Sequence, residues 1–316
     1  MDEKTQTQAI GGGELATQAG TPRDRAIGIA LMLGSAASTQ TGAAAGALAF
    51  PSMGPVGVVA VRQLVSAVVL FALARPKFRG MTRREWWPVV GLALVFGVMN
   101  LSLYSAVERI GLGLAVTLEF LGPLAVAVCA SRRVRDITCA LAAGAGVVVL
   151  TNPGPTSDIT GIGLGLVSAS AWAAYILLNR TVGRRLPGLR GTSAASILSA
   201  ILWGPIAIIW FITHPPSYPA IGLALVCGIL ASAVPYAADI ITLRRVSAVL
   251  FGTFMSMNPV WAAAAGWGIL GQALSIQEVT GIGVIVLSNV VVSRSGTMPR
   301  KGPGGQGGNT PATKGR

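Results

Sequence analysis

The chain reads as long apolar runs separated by short polar breaks. The runs lie at roughly 27–50, 55–74, 88–107, 112–130, 136–151, 161–179, 192–212, 219–242, 247–270 and 279–293. The breaks carry proline, glycine or charge: Pro51, Arg75-Pro76, Gly111, Arg132-Arg133, Pro153-Gly154-Pro155, Pro187-Gly188 and Pro215-Pro216. About twenty apolar residues span a bilayer core as a helix. In lipid the backbone must satisfy its own hydrogen bonds, which leaves helices or closed barrels. The runs are continuous rather than alternating, so they predict an all-α integral membrane fold of ten transmembrane helices. Residues 1–25 and 294–316 are polar, the latter rich in Gly, Pro and Lys, and are expected to be disordered tails. Met1 to Arg25 lacks the apolar region of a cleavable signal peptide.

Composition and charge sharpen this picture. Apolar residues make up 52% of the chain and charged residues 11%, against about 25% charged in soluble domains. A net charge of +13 would suit a nucleic-acid partner, but the charges sit in short strips between the apolar runs, as orientation signals do. With the N-terminus inside, all of the 24 lysines and arginines except Arg62 and Arg109 fall on cytoplasmic segments or tails. A miscounted helix would reverse every later strip, so the pattern argues for ten spans with both termini cytoplasmic. No nucleic-acid partner is expected; the lipid bilayer is.

The chain also repeats. Gly28 to Ala36 echoes Gly161 to Ala169; Leu114, Thr117 and Pro123 align with Leu250, Thr253 and Pro259; Gly144 to Leu150 matches Gly281 to Leu287. Order and spacing are nearly constant, which points to a duplication with halves at 26–151 and 152–293. Five spans per half is odd, so the halves are inverted relative to each other, a common design of secondary transporters. Small residues recur every fourth position, at Ala30, Gly34, Ser38, Gly42 and Gly46 and again at Gly161, Gly165, Ala169 and Ala173. Such stripes let helices approach closely.

Polar groups inside spans are costly and mark candidate chemistry. Arg62 and Glu119 each lie about seven residues into helices of the same direction, roughly 10 Å deep at about 1.5 Å per residue. They are read either as a packing ion pair or as a site for a zwitterion or an exchanged proton, since a desolvated carboxylate can exchange a proton. Asp239, near Arg244 and Arg245, is a rim carboxylate or a second proton carrier. Gln40, Asn100, Trp172 and Asn258 fall near mid-depth, with Tyr104, Tyr175 and Tyr236 a turn or so away. The aromatics serve as packing or interface anchors, or as ligands. Pro123 and Pro259 interrupt helices at matching places, which is a sequence pointer to a transport site. Cys129, Cys139 and Cys227 read as small apolar residues, and His214 lies alone in a Pro-rich loop, so no metal or other cofactor is expected. There is no G-x-x-x-x-G-K-[ST] phosphate loop. Energy must come from a gradient or a separate protein.

Leu118 to Ala127, Phe251 to Pro259, Met99-Asn100 and Trp172 to Leu177 resemble the bacterial threonine/homoserine exporters, of the EamA-type branch of the drug/metabolite transporter superfamily. The resemblance runs over roughly 27–293. It implies ten helices around a central cavity in the bacterial inner membrane, and proton-driven export of small amino acids. Two positions depart from the pattern: Asn258 stands where such exporters tend to carry Glu, and Gln272 follows Leu270-Gly271 where Leu-Gly-Glu is common. On this reading the protein is a secondary exporter of threonine, homoserine or a similar solute, not an enzyme. Arg62 meets the carboxylate, Glu119 the ammonium or the proton, and Asn100, Trp172, Tyr175, Tyr236 and Asn258 line the cavity. Drug or cation efflux is the alternative within the class; an integral membrane enzyme or a scaffold is remoter. A monomer and a homodimer are both compatible with the sequence.

Overall fold

The computed structural model describes residues 22–76, 78, 80–130, 134–151, 158–186, 189–235, 238 and 256–295. Its elements are α1 (Pro22–Leu48), α2 (Phe50–Ala74), α3 (Arg83–Ile110), α4 (Leu112–Glu119), α5 (Leu121–Ala130), α6 (Val134–Thr151), α7 (Ile159–Arg185), α8 (Arg190–Thr213), α9 (Tyr218–Gly228), a π-helical turn (Ile229–Ala233), α10 (Asn258–Leu270) and α11 (Ile276–Ser295). No strand occurs among the described residues.

Helix limits follow local chemistry. Thr82 and Glu85 form a capping box, with the Glu85 carboxylate accepting from the Thr82 N–H at 2.7 Å. This starts α3 at Arg83, ahead of the apolar run at 88. Asp158 caps α7 through the Gly161 N–H, and Ser217 caps α9 through the Ala220 N–H. Pro51 falls inside the first turn of α2 rather than ending a helix. The kink comes at Gly54-Pro55, where Gly54 takes φ 63°, a left-handed conformation that suits glycine. Phe120 divides the predicted span 112–130 into α4 and α5.

Four helices, α2, α3, α7 and α8, are long and apolar enough to cross a membrane, and shorter apolar helices cover Leu112–Val126, Tyr218–Ala233 and Ile276–Ser288. Their outer faces are apolar: Leu64, Val68, Leu177, Ile208, Ile209, Ile212 and Leu287 are all exposed. A soluble protein could not expose so much apolar surface; lipid covers it.

Packing runs across the middle of the chain. The element α3 lies on α7, α2 on α8 and α9, α1 on α9 and α10, α4 on α10 and α7, and α6 on α11. Apolar burial gives little drive between helices in lipid, so close approach and side-chain hydrogen bonds hold them. A Cβ at Gly42 would press on Leu230 and the Ala231 backbone, and one at Gly165 on Leu118. Ser38 donates to the Leu230 carbonyl at 2.8 Å, Gln63 to Ser199 at 2.9 Å, and Ser193 to the Leu70 carbonyl at 2.9 Å; Ser66 meets Ser232 at 2.8 Å. Each such bond contributes about 0.6 kcal/mol, rising to about 2 kcal/mol in the best cases. Ser38, Gly42 and Gly165 of the small-residue stripes thus serve packing, whereas Gly34 faces open space.

Candidate functional site

Helices α1, α2, α3, α4 and α7, the π-helical turn and the start of α10 line a cavity of about 220 Å³. A helix break and a helix start abut it. Glu119 ends α4, and Pro123, four residues on, has no N–H to return to the Glu119 carbonyl. Asn258 opens α10, with Pro259 in its first turn. The matched prolines therefore flank the cavity.

Arg62, Asn100, Glu119, Trp172, Tyr175 and Asn258 all line this space, together with Gln40 and Tyr104. Tyr236 and Asp239 lie outside the described residues. Arg62 reaches the Tyr104 hydroxyl through Nη1 at 3.2 Å and the Ala231 carbonyl through Nη2 at 3.3 Å. Its guanidinium lies 5.4 Å from the Tyr104 ring centre, within cation–π range. Tyr104 in turn lies 3.1 Å from Sγ of the buried Cys227, behind the cavity lining.

Glu119 is buried and accepts a short hydrogen bond from Ser168 on α7, at 2.6 Å. Gly122 makes this possible. Its Cα passes so close to α7 that an added Cβ would land on the Ala169 carbonyl. Asn100, read as a mid-depth polar group, donates to the Phe96 carbonyl of its own helix at 2.7 Å. Phe120 stands edge-on to Trp172 at 4.6 Å, and Phe96 lies 5.7 Å from Tyr175, so much of the wall is aromatic. Asn258 accepts from Gln40 Nε2 at 3.2 Å.

Other candidates lie elsewhere. Gln272 is outside the lining and accepts from the Leu112 N–H at 3.0 Å, capping α4 beside Gly111. Arg109 forms an ion pair with Asp158 at 2.9 Å, on the exposed α3 and α7 ends. The Gly161 N–H first, then Arg109, hold the Asp158 carboxyl below the usual carboxylate range. His214 stacks on Trp210 at 4.1 Å. Among the described residues no three His, Cys, Asp or Glu side chains gather as metal ligands would. Ser168 was not legible as a partner: it sits beside Ala169 of the small-residue stripe, but nothing in its spacing names Glu119.

A solute crossing a bilayer needs a polar compartment inside an apolar coat. A bundle that supplies both belongs to the class of membrane transporters. The EamA-like transporter family model matches residues 159–294. The threonine/homoserine exporter RhtA of Salmonella typhimurium is 32% identical over 272 residues, covering 85% of this chain and 90% of that protein. The Escherichia coli K12 exporter of the same name is 32% identical over 265 residues, 83% of this chain and 90% of its own. An uncharacterized transporter of Bacillus subtilis, YwfM, is 26% identical over 270 residues, 81% and 88% of the two chains. A solved crystal structure shares the fold at a TM-score of 0.56 and 20% identity, over 86% of this chain and 98% of its own. The chain belongs to the EamA-like transporter family.

Proposed function

We propose that this protein exports threonine, homoserine or a similar small polar amino acid, exchanging it for protons that enter the cell. The observation that carries the reading is one cavity lined by both a guanidinium, Arg62, and a carboxylate, Glu119. A zwitterion presents the complementary two charges. The Arg62 fork suits the solute carboxylate through paired hydrogen bonds, and Glu119 suits the ammonium or, with the solute gone, a proton. A volume of about 220 Å³ is below the roughly 300–1,000 Å³ of pockets that take drug-sized ligands. This favours a small solute over multidrug efflux. The names of the 32% identical relatives support the same substrate class.

The ten spans in two inverted halves, with both termini in the cytoplasm of a bacterial inner membrane, belong to the same proposal. An inverted repeat would let one half rock on the other around a fixed central site, which suits a cavity bounded by helices from both parts of the chain. Tyr236 extends the proposed lining, and Asp239 is the proposed second proton carrier.

A second reading rests on the aromatic wall of Phe96, Phe120, Trp172 and Tyr175, which suits an organic cation. Counterflow in proteoliposomes separates the two. Labelled threonine or homoserine is expected to enter vesicles preloaded with the unlabelled amino acid, and cationic dyes are not expected to compete. Exchange of the dyes with none of the amino acids would reverse the assignment.

A further inference from the structure

Arg62 and Glu119 answer the two charges of an amino acid, but a hydroxyamino acid carries one polar group more. A second polar pair lines the cavity. Gln40, in the second half of α1, donates Nε2 to Asn258 Oδ1 at the start of α10. Both residues are buried. Gln40 Oε1 is enclosed as well, and no hydrogen-bond donor among the described residues reaches it. A buried polar atom left unsatisfied is rare in folded proteins and asks for an explanation. Its neighbours do not supply one: Thr39, on the same helix, gives its hydroxyl to the Ser35 carbonyl.

With one Nε2 hydrogen given to Asn258, the atom of the Gln40 amide that stands enclosed without a partner is its acceptor, Oε1. An acceptor at the wall of a solute cavity calls for a donor on the solute. The ammonium has the Glu119 carboxylate to go to, which leaves the side-chain hydroxyl. We propose that the Gln40–Asn258 pair is the specificity element of this transporter, with Gln40 Oε1 accepting a hydrogen bond from the hydroxyl of a hydroxyamino acid. This rests on the amino-acid reading above and narrows it. A site that hydrogen-bonds a substrate hydroxyl rejects the analogue lacking it, because the acceptor is then left unpaired. Asn258, where the resembling exporters tend to carry Glu, then acts as a neutral holder that fixes the Gln40 amide.

The test uses the full-length protein in proteoliposomes. Counterflow of labelled homoserine is inhibited by unlabelled threonine, homoserine or 2-aminobutyrate, which has the zwitterion and no hydroxyl. The wild type is expected to prefer the hydroxyamino acids roughly ten- to a hundredfold. Gln40→Met, similar in length without the acceptor, is expected to bring that ratio close to one, chiefly by weakening threonine and homoserine. Gln40→Asn keeps an amide on a shorter stem and is expected to lie between the two. A wild-type protein that takes 2-aminobutyrate as well as threonine would overturn the proposal whatever the variants do, and would leave amino-acid transport standing. So would a wild-type ratio in folded Gln40→Met. Wild-type protein that exchanges no amino acid at all would remove the amino-acid reading and this inference with it.

Discussion

Gly122 is the place where packing and the candidate site meet, so Gly122→Ala is an informative perturbation. The added methyl would meet the Ala169 carbonyl and the Ala173 nitrogen, both backbone atoms of α7. Neither can swing aside as a side chain would, so α5 must move off α7 or bend. Overpacking of this kind costs about 1–3 kcal/mol. The same displacement draws Glu119 away from Ser168, whose 2.6 Å bond reaches a buried carboxyl. A hydrogen bond contributes about 0.5–1.5 kcal/mol between neutral groups and about 1.5–3 kcal/mol to a charged one. The two effects together come to roughly 1.5–6 kcal/mol when the bond is lost outright. Gly163 is the internal control. It lies on α7 with open space around its would-be Cβ, and replacing a helical glycine by alanine gains about 0.5–1 kcal/mol. The assay is unfolding of the purified variants in mild detergent, by heat or by titrated denaturing detergent, followed by gel filtration. Gly122→Ala is expected to unfold well before the wild type, and Gly163→Ala with it or slightly after. Equal stability of the two variants would refute the close α5–α7 contact and the position it gives Glu119.

Arg62→Ala is expected to lower affinity for a zwitterionic amino acid more than for an amine lacking the carboxylate, and Arg62→Lys to restore only part, since the ammonium keeps the charge without the fork; an unchanged ratio per folded molecule would make Arg62 a packing residue held by Tyr104 and Ala231. A reporter active only in the cytoplasm is expected to be silent when fused after residue 155 or 216, and active after residue 187 or at the C-terminus; activity at both 155 and 187 would break the ten-span topology at its centre. Asp158 is held below its ordinary titration range, so its contribution to stability is present above the unfolded value of about 3.9 and lost as pH falls through the lower folded value. Asp158→Asn is therefore expected to flatten the acid limb of the unfolding profile, read as midpoint temperature against pH, and an unchanged limb would discount the α7 cap.

The apolar runs located the helices because lipid imposes one length and one character on every span, and the described helices occupy the stretches where runs were read. Their ends moved where polar chemistry acts beyond the run. The Thr82–Glu85 box starts α3 early, and Asp158 starts α7 at Ile159. Depth counting put Arg62, Asn100, Glu119, Trp172, Tyr175 and Asn258 at neighbouring levels, and all six line one cavity. Depth says nothing of rotation about the helix axis, however. That is why Ser168 beneath Glu119, Cys227 beneath Tyr104 and the π-helical turn that meets Arg62 were not read from the sequence. Gln272 illustrates the converse. Resemblance marked it as a replaced carboxylate, yet its work in the structure is to cap α4.

The central claim is proton-coupled export of a small amino acid through the Arg62–Glu119 cavity. Its most direct test loads the protein into liposomes with an acidic interior and follows labelled threonine together with internal pH. Threonine is expected to accumulate above its external concentration while the interior turns alkaline, and a protonophore should collapse both signals. Glu119→Gln is expected to lose the accumulation while keeping exchange at zero gradient. Threonine uptake no greater than in protein-free liposomes, or accumulation by Glu119→Gln equal to that of the wild type, would contradict the account.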